Sequence, residues 1–218
     1  MGFWCDHIFS NDSRATIATR DKLEIWAFAG DPIILELMKP HYYSVKYWRG
    51  VDVYGAFLTH YKLIRSLLFH AVRDRAEDGQ DARQRWLTGH GLGGATAQLF
   101  AFDLASRGIL ADHVVTFGQP RVGREGWTLA YNKHYRNLTR RYVNHRDPIC
   151  EMPATRKGFQ HSVGEQYIDA AGKLSKRNTW WFRTRDQLRH EESNGTGSPP
   201  LSLEDHGIIE YILKLEKK

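Results

Sequence analysis

The chain has 218 residues, 41% of them hydrophobic, and a formal net charge of +6. That length and apolar content suit one domain with a full core and exclude a disordered chain. No apolar run reaches the ~18 residues of a membrane-spanning helix. The basic residues are scattered, with no zinc-finger spacing, RNA-recognition signature or sustained basic helix, so no nucleic-acid partner is expected.

In chain order, "KLEIWAF" at 22–28 reads as a strand that enters a tight turn at Ala29-Gly30-Asp31. An apolar stretch, "PIILELM", and an aromatic-rich one, "HYYSVKYWRG", follow it. From Gly55 to about Asp74, Phe57, Tyr61, Ile64, Leu68 and Val72 recur three or four apart, the spacing of an amphipathic helix. "QRWLTG" at 84–89 is a short strand. "GGATAQLFAFDLASRG" at 93–108 is a small-residue helix closed by Gly108. "DHVVTFG" at 112–118 is a buried-type strand, and "LTRRYVNHRDP" at 138–148 is a further strand that stops at Asp147-Pro148. "FQHSVGEQYIDA" at 159–170 reads as one more, and "SNGTGSPP" at 193–200 as a long loop. The chain ends in a helix, "LSLEDHGIIEYILKLEKK", with Ser202 as its cap and Glu204 and Asp205 in the first turn. Alternating strands and helices predict an α/β fold, a mostly parallel sheet with helices on both faces, in one domain spanning 1–218.

The stretch "LTGHGLGGATAQL" at 87–99 carries the chemistry. A strand, a glycine-rich turn and a helix form a nucleophile elbow when Gly-x-Ser-x-Gly occupies the turn. Here Gly89-His90-Gly91-Leu92-Gly93 supplies the turn, with Gly91 at the apex instead of a hydroxyl. A phosphate loop is excluded, because no Lys-Ser/Thr follows and no acidic ribose partner stands at a suitable strand end. Downstream, Asp147 just beyond a strand is placed to orient an imidazole, and His206 to act as base. Alone, each has a plainer reading, as a turn-forming Asp-Pro and a surface histidine. The order elbow, Asp, His is that of α/β-hydrolase triads.

These segments together resemble the class 3 lipases, the fungal-type triacylglycerol lipase group of the α/β-hydrolases. "WAFAGD" at 26–31 resembles the strand and oxyanion turn, and "VYGAFLTHY" at 53–61 the segment opening the next helix. "TGHGLGGATAQLFAFDLA" at 88–105 matches the elbow except at Gly91, and "VVTFGQPRVG" at 114–123 is specific to the group. "RYVNHRDPICEMP" at 141–153, "FQHSVGEQYI" at 159–168 and "DHGIIEYI" at 205–212 complete a likeness that runs over about residues 22–213. It implies an α/β-hydrolase fold that hydrolyses carboxylic esters of acylglycerol type. It places Gly91 at the nucleophile position, normally Ser, with Asp147 holding His206 and His206 moving the proton. The oxyanion donors would be the N–H groups of Leu92 and Asp31. A lid would lie within 31–49, although "PIILELM" also reads as a packed core helix. The expected partner is a lipid or ester substrate, with transient contact at a lipid surface.

Two departures stand out. Asp31 occupies a position where the group commonly has Ser or Thr, and a carboxylate there opposes developing negative charge unless it turns away. Gly91 removes the nucleophile, so this form is expected to be nearly inactive. Three origins stay open: a Ser→Gly substitution introduced to silence the enzyme, a natural pseudoenzyme that binds lipid or a partner, and residual hydrolysis by an activated water. Preference for aryl, feruloyl-type esters is an alternative within the enzyme class. No cofactor and no metal site is expected, since Cys5 and Cys150 lack ligand neighbours at CxxC spacing. Two cysteines fit either a reduced chain or one optional bridge. No secretory signal pattern is visible, so the chain is expected to be cytoplasmic if complete as given, and secreted if an N-terminal segment was removed.

Overall fold

A computed structural model describes residues 2–11, 13–30, 44–77, 79, 83–175 and 203–216. Its centre is a run of five parallel strands: β3 (Leu23–Phe28), β6 (Gln84–His90), β7 (His113–Phe117), β9 (Thr139–Asn144) and β11 (Glu165–Ile168). At one edge an antiparallel hairpin, β1 (Trp4–Ser10) and β2 (Ser13–Arg20), adds through β2 to β3. At the other edge β12 (Leu174–Ser175) pairs antiparallel with β11. Among the described residues the sheet therefore has eight strands, mostly parallel at its core, as expected. A second, antiparallel sheet of four strands comprises β4 (Val45–Trp48), β5 (Val51–Tyr54), β8 (Gly123–Arg124) and β10 (Phe159–Gln160).

Four α-helices are described: α1 (Gly55–Glu77), α2 (Leu92–Ala105), α3 (Glu125–Tyr135) and α4 (Ile208–Glu216). The periodicity of α1 holds: Phe57, Tyr61, Ile64, Leu68 and Val72 are all buried. Helix α2 is buried on every side from Leu92 to Leu104, which explains its run of glycine and alanine. A β-carbon on Gly93 would lie 2.1 Å from the Phe28 carbonyl oxygen, and one on Gly89 would lie 2.3 Å from the Gly93 backbone. The helix thus packs backbone against backbone on the strands around it. Phe100 anchors the same interface, its ring 5.3 Å from Trp26, 5.6 Å from Phe28 and 5.7 Å from Phe69.

Several elements differ from expectation. Helix α3 was not foreseen; its buried face is aromatic, Trp127, Tyr131 and Tyr135 four apart, among polar residues. The β1–β2 hairpin was missed because the buried positions of β2 are small, Ser13 and Ala15 among them. "FQHSVGEQYIDA" forms two strands rather than one, β10 and β11, in different sheets. Within the proposed 31–49 lid, residues 45–48 are strand β4, and 31–43, including "PIILELM", lie outside the described residues. The 193–200 loop and the Ser202 cap also lie outside them. The terminal helix is broken: Leu203–His206 is a 3-10 turn, closed where the Gly207 N–H donates to the Glu204 carbonyl, and α4 starts at Ile208. His206 therefore sits on a turn. Cys5 is exposed, Cys150 is buried, and both are free, so the optional bridge is absent. Among the described residues no helix is long and apolar enough to cross a membrane.

Candidate active site

The site begins where β6 ends. Gly91 links the strand to α2 with φ 54° and ψ −121°, a positive-φ conformation that residues with a β-carbon rarely adopt. Its N–H donates to the Phe117 carbonyl at 2.9 Å, which ties the apex to the end of β7. Leu92 is the first residue of α2, so its N–H is one of the four that have no acceptor within a helix. The chain after β3 comes close beneath it: a β-carbon on Gly30 would lie 3.7 Å from the Leu92 nitrogen. Asp31 itself lies outside the described residues. Thr96 is committed elsewhere, its hydroxyl donating to the Leu92 carbonyl at 3.0 Å.

Beyond β9 the backbone turns through His145, at φ 35°, to Asp147. The Asp147 side chain is fully buried and caps a 3-10 turn, accepting from the Ile149 N–H at 2.9 Å. Its other oxygen accepts from the Tyr211 hydroxyl at 2.6 Å. His206 Nδ1 stands 3.0 Å from both carboxylate oxygens. An ionised carboxylate only accepts, so Nδ1 carries the proton and the lone pair of a neutral ring is left on Nε2. The His206 side chain keeps 15% exposure, so the pair sits between core and solvent. Gly118 makes room for it: a β-carbon there would lie 2.6 Å from Asp147 Oδ2 and 3.0 Å from His206 Nδ1.

Two further contacts fix His206. The His90 ring, on the residue before the elbow apex, lies 4.3 Å from the His206 ring at 32°. Its Nε2–H donates to the His206 carbonyl at 2.6 Å. Burial, and then the neighbouring imidazole, push the His90 pKa down to about 4, so it is neutral at pH 7. A second His–Asp pair runs between the same two segments. His145 Nδ1 is 3.1 Å from Asp205 Oδ2, which also accepts from the Arg146 N–H at 3.2 Å. Asn144 Nδ2 donates to the Asp205 carbonyl at 2.9 Å, and Lys214 Nζ donates to Asn144 Oδ1 at 2.8 Å. Burial alone would raise the Asp205 carboxyl; the His145 hydrogen bond and charge, with Lys214, outweigh it and hold it below its ordinary value.

Of the residues singled out from sequence, Gly91 and Leu92 form one wall, and Asp147 and His206 are joined directly. His90, Tyr211, Asp205 and His145 were missed. For Tyr211 a signal existed, since it is a large aromatic on the helix that follows His206. Burial of the Tyr211 phenol, and then the charges around it, push its pKa well up, so it stays a proton donor to Asp147.

With this geometry in place, similarities to known proteins can be set beside it. A family model described as Lipase (class 3) matches residues 29–157. A secreted mono- and diacylglycerol lipase of Malassezia restricta is 30% identical over 170 residues, which cover 76% of this chain and 53% of that protein. The chain therefore spans about half the length of that curated relative. The structure of Rhizomucor miehei triacylglyceride lipase superposes with a TM-score of 0.71 at 25% identity, over 94% of this chain and 78% of its own. A further structure, of a triacylglycerol lipase whose catalytic centre is described as a serine protease triad, has TM-score 0.71 and 25% identity over 93% and 79%. The α/β-hydrolase fold expected from sequence is the fold of these neighbours.

Proposed function

The chain belongs to the class 3 lipase family, and from that premise we propose that its chemistry is hydrolysis of carboxylic esters, of acylglycerols or related lipids, in a form with serine at position 91. The observation that carries this reading is the His206–Asp147 pair, 3.0 Å apart, beside the elbow.

In that form the serine hydroxyl would attack the ester carbonyl while His206 Nε2 takes its proton. Asp147 would hold the ring and stabilise the imidazolium, and the acyl-enzyme would then be cleaved by water with the same base. The Leu92 N–H, and the Asp31 N–H beyond Gly30, would receive the oxyanion. A lid within 31–49 would cover the acyl site. As it stands the chain has no hydroxyl at the apex, and no acyl-enzyme can form there. Acceleration would then fall to the ~10³- to 10⁴-fold over water that binding and an oxyanion hole supply.

The positive φ at Gly91 also supports a second reading, a pseudoenzyme that keeps the pocket for binding, because glycine removes the strain a side chain would bear. Introducing Gly91→Ser and assaying short- and long-chain p-nitrophenyl esters separates the two. Hydrolysis rising ~10³-fold or more supports the enzyme. A serine form no faster than the glycine form refutes the elbow assignment, and heat on titrating fatty acid into the glycine form then supports binding. Feruloyl esters in the same series report any aryl preference.

A further inference from the structure

Away from the elbow, an open surface pocket of about 450 Å³ lies between the β4–β5 hairpin and α1, lined by Trp48, Arg49, Lys62, Arg65 and Ser66. Lys62, Arg65 and Ser66 share one face of α1 by their spacing of three and four. Arg49 arrives from the two-residue turn between paired Trp48 and Val51.

One carboxylate answers these cations. Asp103 of α2, its side chain fully buried, accepts from the Tyr61 hydroxyl at 2.6 Å and from Arg65 through Nε at 2.5 Å and Nη2 at 3.4 Å, and it forms an ion pair with an Arg49 terminal nitrogen at 2.6 Å. Arg107 reaches it as well, at 3.5 Å. Burial alone would raise this carboxyl, but the bonds from Arg65 and Tyr61 and the Arg49 charge outweigh it and keep it ionised. Asp103 is thereby used up. Each guanidinium carries five N–H groups, and those not aimed at Asp103 remain for a second acceptor. The Arg49 and Arg65 side chains are 28% and 31% exposed. Lys62 is exposed and makes no ion pair among the described residues.

Arg49 is also held at an unusual backbone. It has φ 50° and the following Gly50 φ 85°, the two positive angles of a tight hairpin turn whose first place favours Asn or Asp. A long cationic side chain kept there, at the rim of a cationic pocket, is an outlier of the kind that marks a site.

We propose that this pocket binds a phosphoryl oxyanion. Arg49 and Arg65 would present the N–H groups that Asp103 leaves, Lys62 a point charge and Ser66 a hydroxyl, with the Trp48 ring beside them for the organic part of the ligand. A phosphoryl group matches this set, since it carries up to two negative charges and several acceptor oxygens and pairs with guanidinium in bidentate fashion. The ligand is either a free phosphorylated solute or the head group of an anionic lipid. Asp103 lies far along α2 from Leu92, at 1.5 Å per residue about 16 Å from the elbow, so occupancy does not require the catalytic reading.

The test uses the chain as it is, with no ester assay, so its failure and that of the proposed activity are distinct. Inorganic phosphate is titrated calorimetrically at constant ionic strength, and vesicles of phosphatidylcholine with and without phosphatidic acid are sedimented with the protein. Saturable phosphate binding is expected, weakened about tenfold by Lys62→Gln and further by Lys62→Glu. Lys133→Gln, on the exposed face of α3, should leave it unchanged. Both positions are exposed, so the variants fold. Phosphatidic acid vesicles that bind and are released by free phosphate identify a lipid head group as ligand. Vesicles that ignore Lys62→Glu, while phosphate binding responds to it, identify a free solute. The proposal is overturned by absence of saturable phosphate binding, or by an equal loss in Lys133→Gln.

Discussion

The elbow and the segment that brings His206 to it are built on opposite principles. From β6 into α2 the chain is closed by backbone contact: glycines where a β-carbon would collide, a helix buried on all sides, and an apex whose N–H is taken by the neighbouring strand. The 203–216 segment buries one side chain, Tyr211, and exposes Ile209, Ile212 and Leu213. It is held by polar bonds from Asp205, His206, Tyr211 and Lys214 to residues 144–147. The elbow's shape is thus a matter of packing, which at Gly89 and Gly93 leaves no room for a β-carbon. The base's position is a matter of hydrogen bonds, each modest and each titratable or removable alone.

If that contrast is right, one added methyl at the elbow does more harm than any single deletion in the His206 segment. Gly93→Ala places its β-carbon 2.1 Å from the Phe28 carbonyl and 2.9 Å from the Gly30 nitrogen, so strand and helix must part. A loss of about 4 kcal/mol in urea unfolding is expected, above the ~1–3 kcal/mol usual for overpacking, because backbone rather than a side chain must give way. A loss under ~1 kcal/mol would mean that the elbow yields, and the contrast would fail.

The next largest effect is a pH dependence, and it sharpens the comparison because His90 belongs to both regions. Free in the unfolded chain its imidazole titrates near 6.5; folded, it is pushed down to about 4. Between those values the unfolded chain binds the additional proton. Stability from this group is therefore complete above about pH 6.5 and declines as pH falls towards 4, by ~3 kcal/mol. The depressed Asp205 carboxyl loses stability in the same direction, but only at the lower pH where carboxylates protonate. Urea midpoints taken from pH 7 to 4 should show the slope, and His90→Asn should flatten it. A slope unchanged in His90→Asn would assign it elsewhere.

The same contrast explains what could be read from sequence. Gly89, Gly91 and Gly93 are local: they lie within five residues, and only a turn with close approach accounts for them. Helix α1 was legible because its apolar spacing is regular, and β3, β6, β7 and β9 because short apolar runs end in turn residues. The clamp on His206 was not legible. Its bonds join residues about 60 apart in sequence, such as His145 to Asp205, and no spacing announces which polar groups will meet. Helix α3 was hidden for a related reason, since its buried tyrosines are amphipathic: the Tyr135 hydroxyl donates to the Ala101 carbonyl at 2.9 Å. The split of 159–168 between two sheets is a tertiary decision that the strand pattern does not encode.

The smallest predicted effect concerns Tyr211, the one buried side chain of α4. Its hydroxyl donates to Asp147 at 2.6 Å and accepts from the Asn144 N–H at 2.9 Å. Tyr211→Phe keeps the ring and its packing while leaving that N–H and one carboxylate oxygen short of a partner. A cost of about 1–2 kcal/mol follows, since an unmade buried hydrogen bond exposes the desolvation penalty of both groups. Ile209→Ala, on the exposed face of the same helix, should stay within ~0.5 kcal/mol. In the Gly91→Ser form Tyr211→Phe should lower kcat with little change in KM, because Asp147 would hold His206 less firmly while the acyl site is untouched. If Ile209→Ala costs as much as Tyr211→Phe, α4 is held by apolar contact after all, and the polar-clamp account of the base is wrong.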